Sequence, residues 1–368
     1  MKPGHIHQEE FMNHEGFVQQ KEFMQQETMK KQTKASVLLE GANVTIGYHQ
    51  KKHNIQVHSN LNFRLYQGEL TCLLGANGSG KSTLLRTLSA VQPSLSGTIY
   101  LLGKPLDSYT ERERSRTIGV VLTERTQTGG LTVSELVSLG RQPHTGFFGR
   151  LNTTDKELIQ HAIESVGITR LAHAYMAELS DGERQKAFIA KALVQECPLI
   201  LLDEPTAFLD VVSRIEIMTL LRKLAREERK AILLSTHDID QALLLADRLW
   251  LLRAHEGIAC GVTEDLILNN QLDTLFPESN ICFNNQNGTY VPRSTYTHNI
   301  VIKTADERLR HWTENALHRL GYQCLNSKPT SSDYLTLNVN SSHNLTLCTA
   351  TETLDFSDFE SLINYLRS

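Results

Sequence analysis

At 368 residues the chain is long for one domain and suits a large domain with one or two smaller pieces. Hydrophobic residues at 40% and charged residues at 21% argue against wholesale disorder and against a membrane-embedded protein. A net charge of -4 argues against a broad nucleic-acid surface, because phosphate binding draws on an excess of Lys and Arg.

Residues 1–35 are rich in Gln, Glu, Lys, Met and His without a stable apolar stripe, and read as a disordered or loosely helical tail. His5, His7 and His14 follow no metal-binding spacing. The opening MKPGHIHQEEFMNHEGF lacks the apolar core of a signal peptide. The best apolar run, ALLLADRLWLL, is broken by Asp247 and Arg248 and is too short to span a bilayer, so the cytosol is the expected compartment. Six scattered cysteines include no CxxC pair, which disfavours a zinc site or a disulfide framework. Cys72 and Cys197 adjoin apolar strands and read as small core residues.

From Ser36 the pattern changes, with strand candidates in SVLLEGANVTIGY and VHSNLNFRLYQGEL. ELTCLLG is nearly all apolar, as a strand buried on both faces of a parallel sheet should be. Glycines and then the helical STLLRTLSAV follow, the alternation of an α/β domain. Helical patterns recur at 132–139, 154–166 and 182–195, the first two opened by capping boxes, Thr132 with Glu135 and Thr154 with Glu157. PLILLD precedes a helix near 211–227, and AILLS precedes one at 239–247. After about residue 297 a separate pattern begins. A helix capped by Thr304 and Glu307 places Leu309, Trp312, Leu317 and Leu320 roughly on one face. Strands in DYLTLNV and HNLTLCT follow, then a helix capped by Ser357 and Glu360 with Phe359, Leu362, Ile363 and Leu366 on one face. The expected layout is a tail over 1–35, a large domain over 36–265 with a helical subdomain at about 124–190, a connecting segment over 266–297 and a small α/β domain over 298–368.

GANGSGKST, Gly75 to Thr83, fits the P-loop pattern between a buried strand and a helix. Gly75, Asn77, Gly78, Gly80 and Thr83 build a loop whose backbone N–H groups converge on phosphates at a helix N-terminus. Lys81 would pair with the β and γ phosphates of ATP, and Ser82 would ligate Mg²⁺. In LILLDEPT, four apolar residues end in Asp203 and Glu204 at the carboxyl edge of a buried strand, where open α/β sheets bind ligands. Asp203 is placed to hold Mg²⁺, directly or through water, and Glu204 to deprotonate an attacking water.

With LSDGERQK, Leu179 to Lys186, the chain resembles the ABC ATPases, the nucleotide-binding subunits of ABC transporters. The family's L-S-G-G-Q signature closes over the ATP held by a second subunit. The resemblance therefore implies that Ser180 and Gly182 face the γ-phosphate of a partner's ATP in a head-to-tail homodimer. The sequence departs at Asp181 and Glu183. Asp tolerates left-handed backbone better than most residues, so the turn is expected to survive the first change. FLD resembles the D-loop and brings Asp210 into the site; STHD supplies His237, which in the family contacts the γ-phosphate; Tyr48 in IGYHQ matches the aromatic that stacks on adenine. The family also carries a Gln on the loop that follows the strand VVL, facing Mg²⁺ and the attacking water. Here Glu124 stands at that position, with Gln127 three residues on, so Glu124 is expected to be a catalytic and Mg²⁺-facing residue.

The resemblance covers roughly residues 36–265. One cassette and no heptad insertion between Lys81 and Ser180 disfavour the DNA-repair and translation relatives. A separate ATPase subunit peripheral on the inner face of the cell membrane, docked on permease subunits, is the implied architecture. LTVSELVSLGRQPHTGFFGRL is similar to the ATPases that import iron-siderophore complexes, haem and cobalamin, which work indirectly with a periplasmic or lipid-anchored substrate-binding protein. The competing readings are a soluble ABC ATPase with a non-membrane partner and an exporter subunit, and a co-encoded permease with a binding protein would discriminate.

Overall fold

The computed structural model describes residues 36–49, 54–122, 130–145, 149–254, 256–277, 279–285, 287–293, 296–325, 327, 334–349 and 351–368. The expected N-terminal tail and the residues Glu124 and Gln127 lie outside these. Two compact units divide the chain: Met1–Ser279 with Phe283–Thr289, and Asn280–Cys282 with Tyr290–Ser368.

In the first unit, β1 (Val37–His49) and β2 (Asn54–Tyr66) run antiparallel, and β3 (Leu70–Leu74) leads into α1 (Lys81–Leu88). β4 (Ser96–Leu101), β5 (Lys104–Pro105), α2 (Glu111–Thr117) and β6 (Ile118–Val121) follow. Next come α3 (Val133–Ser138), α4 (Thr153–Ser165) and α5 (Asp181–Leu193), which pack on one another. The chain then alternates β7 (Leu199–Asp203), α6 (Val211–Glu227), β8 (Ala231–Ser235), α7 (Ile239–Leu245) and β9 (Arg248–Arg253), before β10 (Gly257–Val262) and α8 (Thr263–Leu268).

β1, β2, β4 and β5 form an antiparallel sheet in the order β2-β1-β4-β5. The second sheet has the order β10-β9-β3-β8-β7-β6, parallel except for β10. Its apolar runs LTCLL, LILLD and AILLS are buried along nearly their whole length, the signature of strands covered on both faces. Leu39, Ile46, Leu61, Leu73, Leu84, Leu88, Leu201, Leu233 and Trp250 join both sheets and α1 in one core. Burial is the chief cause that pushes the Cys197 thiol up to about 12, in keeping with its reading as a core residue.

Strands β11 (Ile281–Asn284) and β12 (Thr289–Pro292) are divided between the two units, and the rest of the second unit follows them in the chain. There β13 (His298–Lys303), α9 (Glu307–His318), β14 (Tyr322–Leu325), β15 (Leu335–Ser341), β16 (Asn344–Cys348), β17 (Thr353–Phe356) and α10 (Phe359–Arg367) form a sheet ordered β14-β13-β15-β16-β17 with two helices. Alternate residues Ile300, Ile302, Leu337, Val339, Leu345 and Leu347 share a core with Leu317 of α9 and Leu362 of α10.

Five details differ from expectation. Trp312 is 62% exposed, because α9 turns Thr313, Ala316 and Leu317 inward instead. Helix α4 is capped two residues early: Asn152 accepts from Asp155 N while Asp155 accepts from Asn152 N, a reciprocal pair that displaces Thr154 and Glu157. Asp306 caps α9 through the Arg308 and Leu309 amides in place of Thr304, and Asp358 caps α10 in place of Ser357. Asp181 needs no left-handed backbone, since it opens helix α5, where its negative charge meets the favourable end of the helix dipole.

Candidate functional site

The loop between β3 and α1 is shaped by three glycines. A Cβ on Gly75 would stand 2.5 Å from Ser79 Oγ and 2.7 Å from the Leu252 carbonyl, while Gly78 and Gly80 take φ of 77° and 96°. Gly80 is also the N-cap of α1, so no side chain covers the first amides of that helix, and its first turn holds no acid. Such an end accepts anions. Lys81 is buried, and its Nζ donates to the carbonyls of Gly75 at 2.9 Å and Ala76 at 3.1 Å. Burial holds this ammonium below the ordinary lysine range, and Glu204 and Asp203 act in the opposite direction. Ser79 Oγ is buried without a partner among the described residues. An uncapped helix end, a loop-bound ammonium and an orphaned hydroxyl fit a phosphate chain.

Tyr48 closes β1 with its OH 2.7 Å from Thr83 Oγ1, so the residue matched to base stacking is tied to the phosphate helix. Its ring remains 43% exposed.

The acidic end of β7 is organised by a residue the sequence reading did not single out. Ser235, fully buried at the end of β8 and paired with Asp203 in register, donates to Asp203 Oδ1 at 2.6 Å and accepts from the Glu204 amide at 2.9 Å. Glu204 takes a φ of 48° at the start of the turn. Its Oε1 lies 2.5 Å from His237 Nε2, which follows β8. Ser82, exposed on the first turn of α1, and Asp203 are oxygen donors of the kind a small hard divalent cation takes. Asp238 is fixed in turn by Thr206 at 2.8 Å and Arg214 at 2.7 Å.

Ser180, Gly182 and Asp210 form a second group. Ser180 caps α5: its hydroxyl donates to Glu183 Oε2 at 2.7 Å and accepts from the Glu183 amide. The Ser180 hydroxyl and then the Ser180 amide, both donating to that carboxylate, hold the Glu183 carboxyl below its ordinary range. A Cβ on Gly182 would come within 3.1 Å of Ser213 Oγ. Asp210 caps α6 through Ser213 N and Ser213 Oγ, and its carboxyl is depressed chiefly by the Ser213 amide. Among the described residues no bond joins this group to Lys81, Asn77 or Tyr48. Glu124 follows β6, the strand beside β7, but lies outside the described residues.

A second unforeseen residue is His58 of β2, 4% exposed, with Nε2 2.6 Å from the Ser79 carbonyl. A lone His in a half-buried strand carries no sequence signal; only the fold brings it under the loop.

A mostly parallel sheet with a glycine loop on one strand and a carboxylate pair two strands away defines a P-loop nucleotide-binding protein. The ABC transporter family model matches residues 58–207, and a model of the iron ABC transporter C-terminal domain matches 300–367. The chain is 39% identical over 243 residues to an uncharacterized ABC transporter ATP-binding protein of Methanocaldococcus jannaschii, spanning 66% of this chain and 82% of the relative. It is 36% identical to the ferric enterobactin transport ATP-binding protein FepC of Escherichia coli, over 66% of this chain and 89% of that protein. Among solved structures, a metal-chelate type ABC transporter in an inward-facing conformation is similar at 30% identity with a TM-score of 0.57, covering 66% of this chain and 90% of the other. A dimeric ATP-binding cassette bound to ADP and phosphate is similar at 27% identity with a TM-score of 0.54, covering 61% and 99%. The chain belongs to the ABC transporter family and is an ATPase of it.

Proposed function

We infer that the chain hydrolyses ATP to drive uptake of a ferric siderophore, as a peripheral subunit beneath a membrane permease and as one half of an ATPase pair. The observation that carries the chemistry is the seating of Glu204 between Ser235 and His237 at strand ends next to the Lys81 loop. The relative named for ferric enterobactin transport and the metal-chelate transporter support a ferric chelate ahead of haem or cobalamin. The dimeric cassette bound to ADP and phosphate supports the pairing. No described helix is long and apolar enough to cross a membrane, so a separate permease would supply the path.

In this reading the α1 amides and the Lys81 ammonium bind the phosphates, and Tyr48 stacks on the base. Mg²⁺, held by Ser82 and Asp203, would neutralise phosphate charge. Glu204 takes a proton from the attacking water, and His237 orients that carboxylate until the γ-phosphate competes for its imidazole. Ser180 and Gly182 serve the partner's nucleotide, with Asp210 bracing the same junction. The domain layout is proposed as read from the sequence, with residues 298–368 acting as a regulatory or dimer-contact domain. Removing them should change dimerisation or transport while ATP binding persists.

Replacing Glu204 by Gln should lower phosphate release by about 10²-fold or more while ATP still binds. Normal turnover would overturn its assignment as the base. The cargo is tested by ATP-dependent uptake of a labelled ferric siderophore, against haem and cobalamin, into vesicles holding the chain and its co-encoded permease.

A further inference from the structure

We propose that His58 is a positioning residue for phosphate binding, one that holds the Ser79-Gly80 peptide so that its amide faces the nucleotide; this rests on the nucleotide reading above. The Ser79 carbonyl oxygen can only accept, so the 2.6 Å contact requires the proton on His58 Nε2. No peptide among the described residues is cis. In a trans peptide the C=O and the following N–H point opposite ways, so binding the Ser79 carbonyl on the β2 side turns the Gly80 N–H away from β2. Among the described residues that amide meets no acceptor. It sits at the N-cap of α1, directly before Lys81, where an incoming phosphate oxygen would supply one.

Two further observations fit an anchor and not mere filling. His58 touches the loop a second time: a Cβ on Gly80 would come within 3.3 Å of its ring and 2.7 Å of the neighbouring Val57, so the loop backbone lies directly on this pair. The Ser79 amide is tied within the loop to the Ala76 carbonyl at 3.1 Å, but its Oγ has no partner among the described residues, so the side chain adds no second tie at the carbonyl end. With Gly80 at φ 96°, the peptide before it can rotate more freely than any other residue type would allow. One directed hydrogen bond then decides which way that peptide faces.

The test compares His58→Gln, whose side-chain N–H reaches about as far as Nε2, with His58→Met, which has similar length and no donor. ATP, ADP and adenosine binding are measured by calorimetry on the full chain, with Lys81→Ala as control and thermal midpoints recorded. The Met variant should bind ATP and ADP about five- to tenfold more weakly with adenosine unchanged, and the Gln variant should stay within about twofold of the parent. The proposal is overturned if Met binds ATP like the parent, if Gln is as weak as Met, or if adenosine weakens in step with ATP. Should the Met variant fail to fold, the Gln variant decides alone: parental affinity supports the anchor, and a loss overturns it. A parent that binds no ATP, or a Lys81→Ala chain that binds it normally, would instead defeat the nucleotide reading itself.

Discussion

Replacing Arg141 by Met should cost the first unit about 3 kcal/mol, near the lower end of the range for breaking a buried ion pair from one side. Arg141 stands in the GRQPH segment just after α3, and its guanidinium reaches Asp155 at 2.8 Å, the Val194 carbonyl at 2.9 Å and Glu196 at 2.6 Å. The Arg141 and Asp155 side chains are only 7% and 6% exposed, so removing the cation leaves a carboxylate out of water. The Asn152 amide still bonds that carboxylate, which limits the loss. Glu196, half exposed, adds little. Urea unfolding followed by circular dichroism gives the number, and adding Asp155→Leu to Arg141→Met should recover part of it by removing the stranded charge. A loss under about 1 kcal/mol, or no recovery in the double variant, would refute the reasoning. The same carboxyl predicts a pH effect. Asp155 is held below its ordinary range first by the Asn152 amide, with Arg141 adding to it. Its contribution is therefore complete above the unfolded value near 4 and is lost as pH falls through the lower folded value, so Asp155→Asn should flatten acid destabilisation in that window.

Tyr48→Ala should weaken ATP binding by about 1 to 3 kcal/mol with little preference among bases, whereas Tyr48→Phe, which loses only the bond to Thr83, should lose much less; equal losses would argue against stacking. Glu183→Ala should free the Ser180 hydroxyl and raise the ATP-dependent dimer fraction in a Glu204→Gln background, measured by size-exclusion chromatography; an unchanged fraction would mean that the capping bond does not compete with phosphate. Glu124→Ala should slow ATP turnover more than Gln127→Ala, and no effect from the first would remove Glu124 from the site.

What could be read from residue order alone was whatever one stretch of chain encodes by itself. GANGSGKST and LILLDEPT each combine an apolar run with the polar residues at its end, and the folded chain sets both at carboxyl edges of the parallel sheet. Ser235 and His58 escaped because their meaning depends on neighbours 32 and 21 residues away. The helix caps show the same limit at shorter range: a capping box at Thr154 is a fair local guess, but Asn152 and Asp155 form a better reciprocal pair next to it, with Arg141 holding the Asp. Trp312 misled because an apolar ring was assumed to face the core.

The placement of β3 bears on how the protein is made. Its five residues pair on one side with β8 and on the other with β9, strands that follow it by more than 150 residues. The glycine loop therefore hangs from a strand with no sheet partner until nearly all of the first unit has left the ribosome, and pairing of such high contact order is slow. Added nucleotide should accordingly speed only the last phase of refolding, and shortened chains ending before β8 should neither bind it nor resist proteolysis.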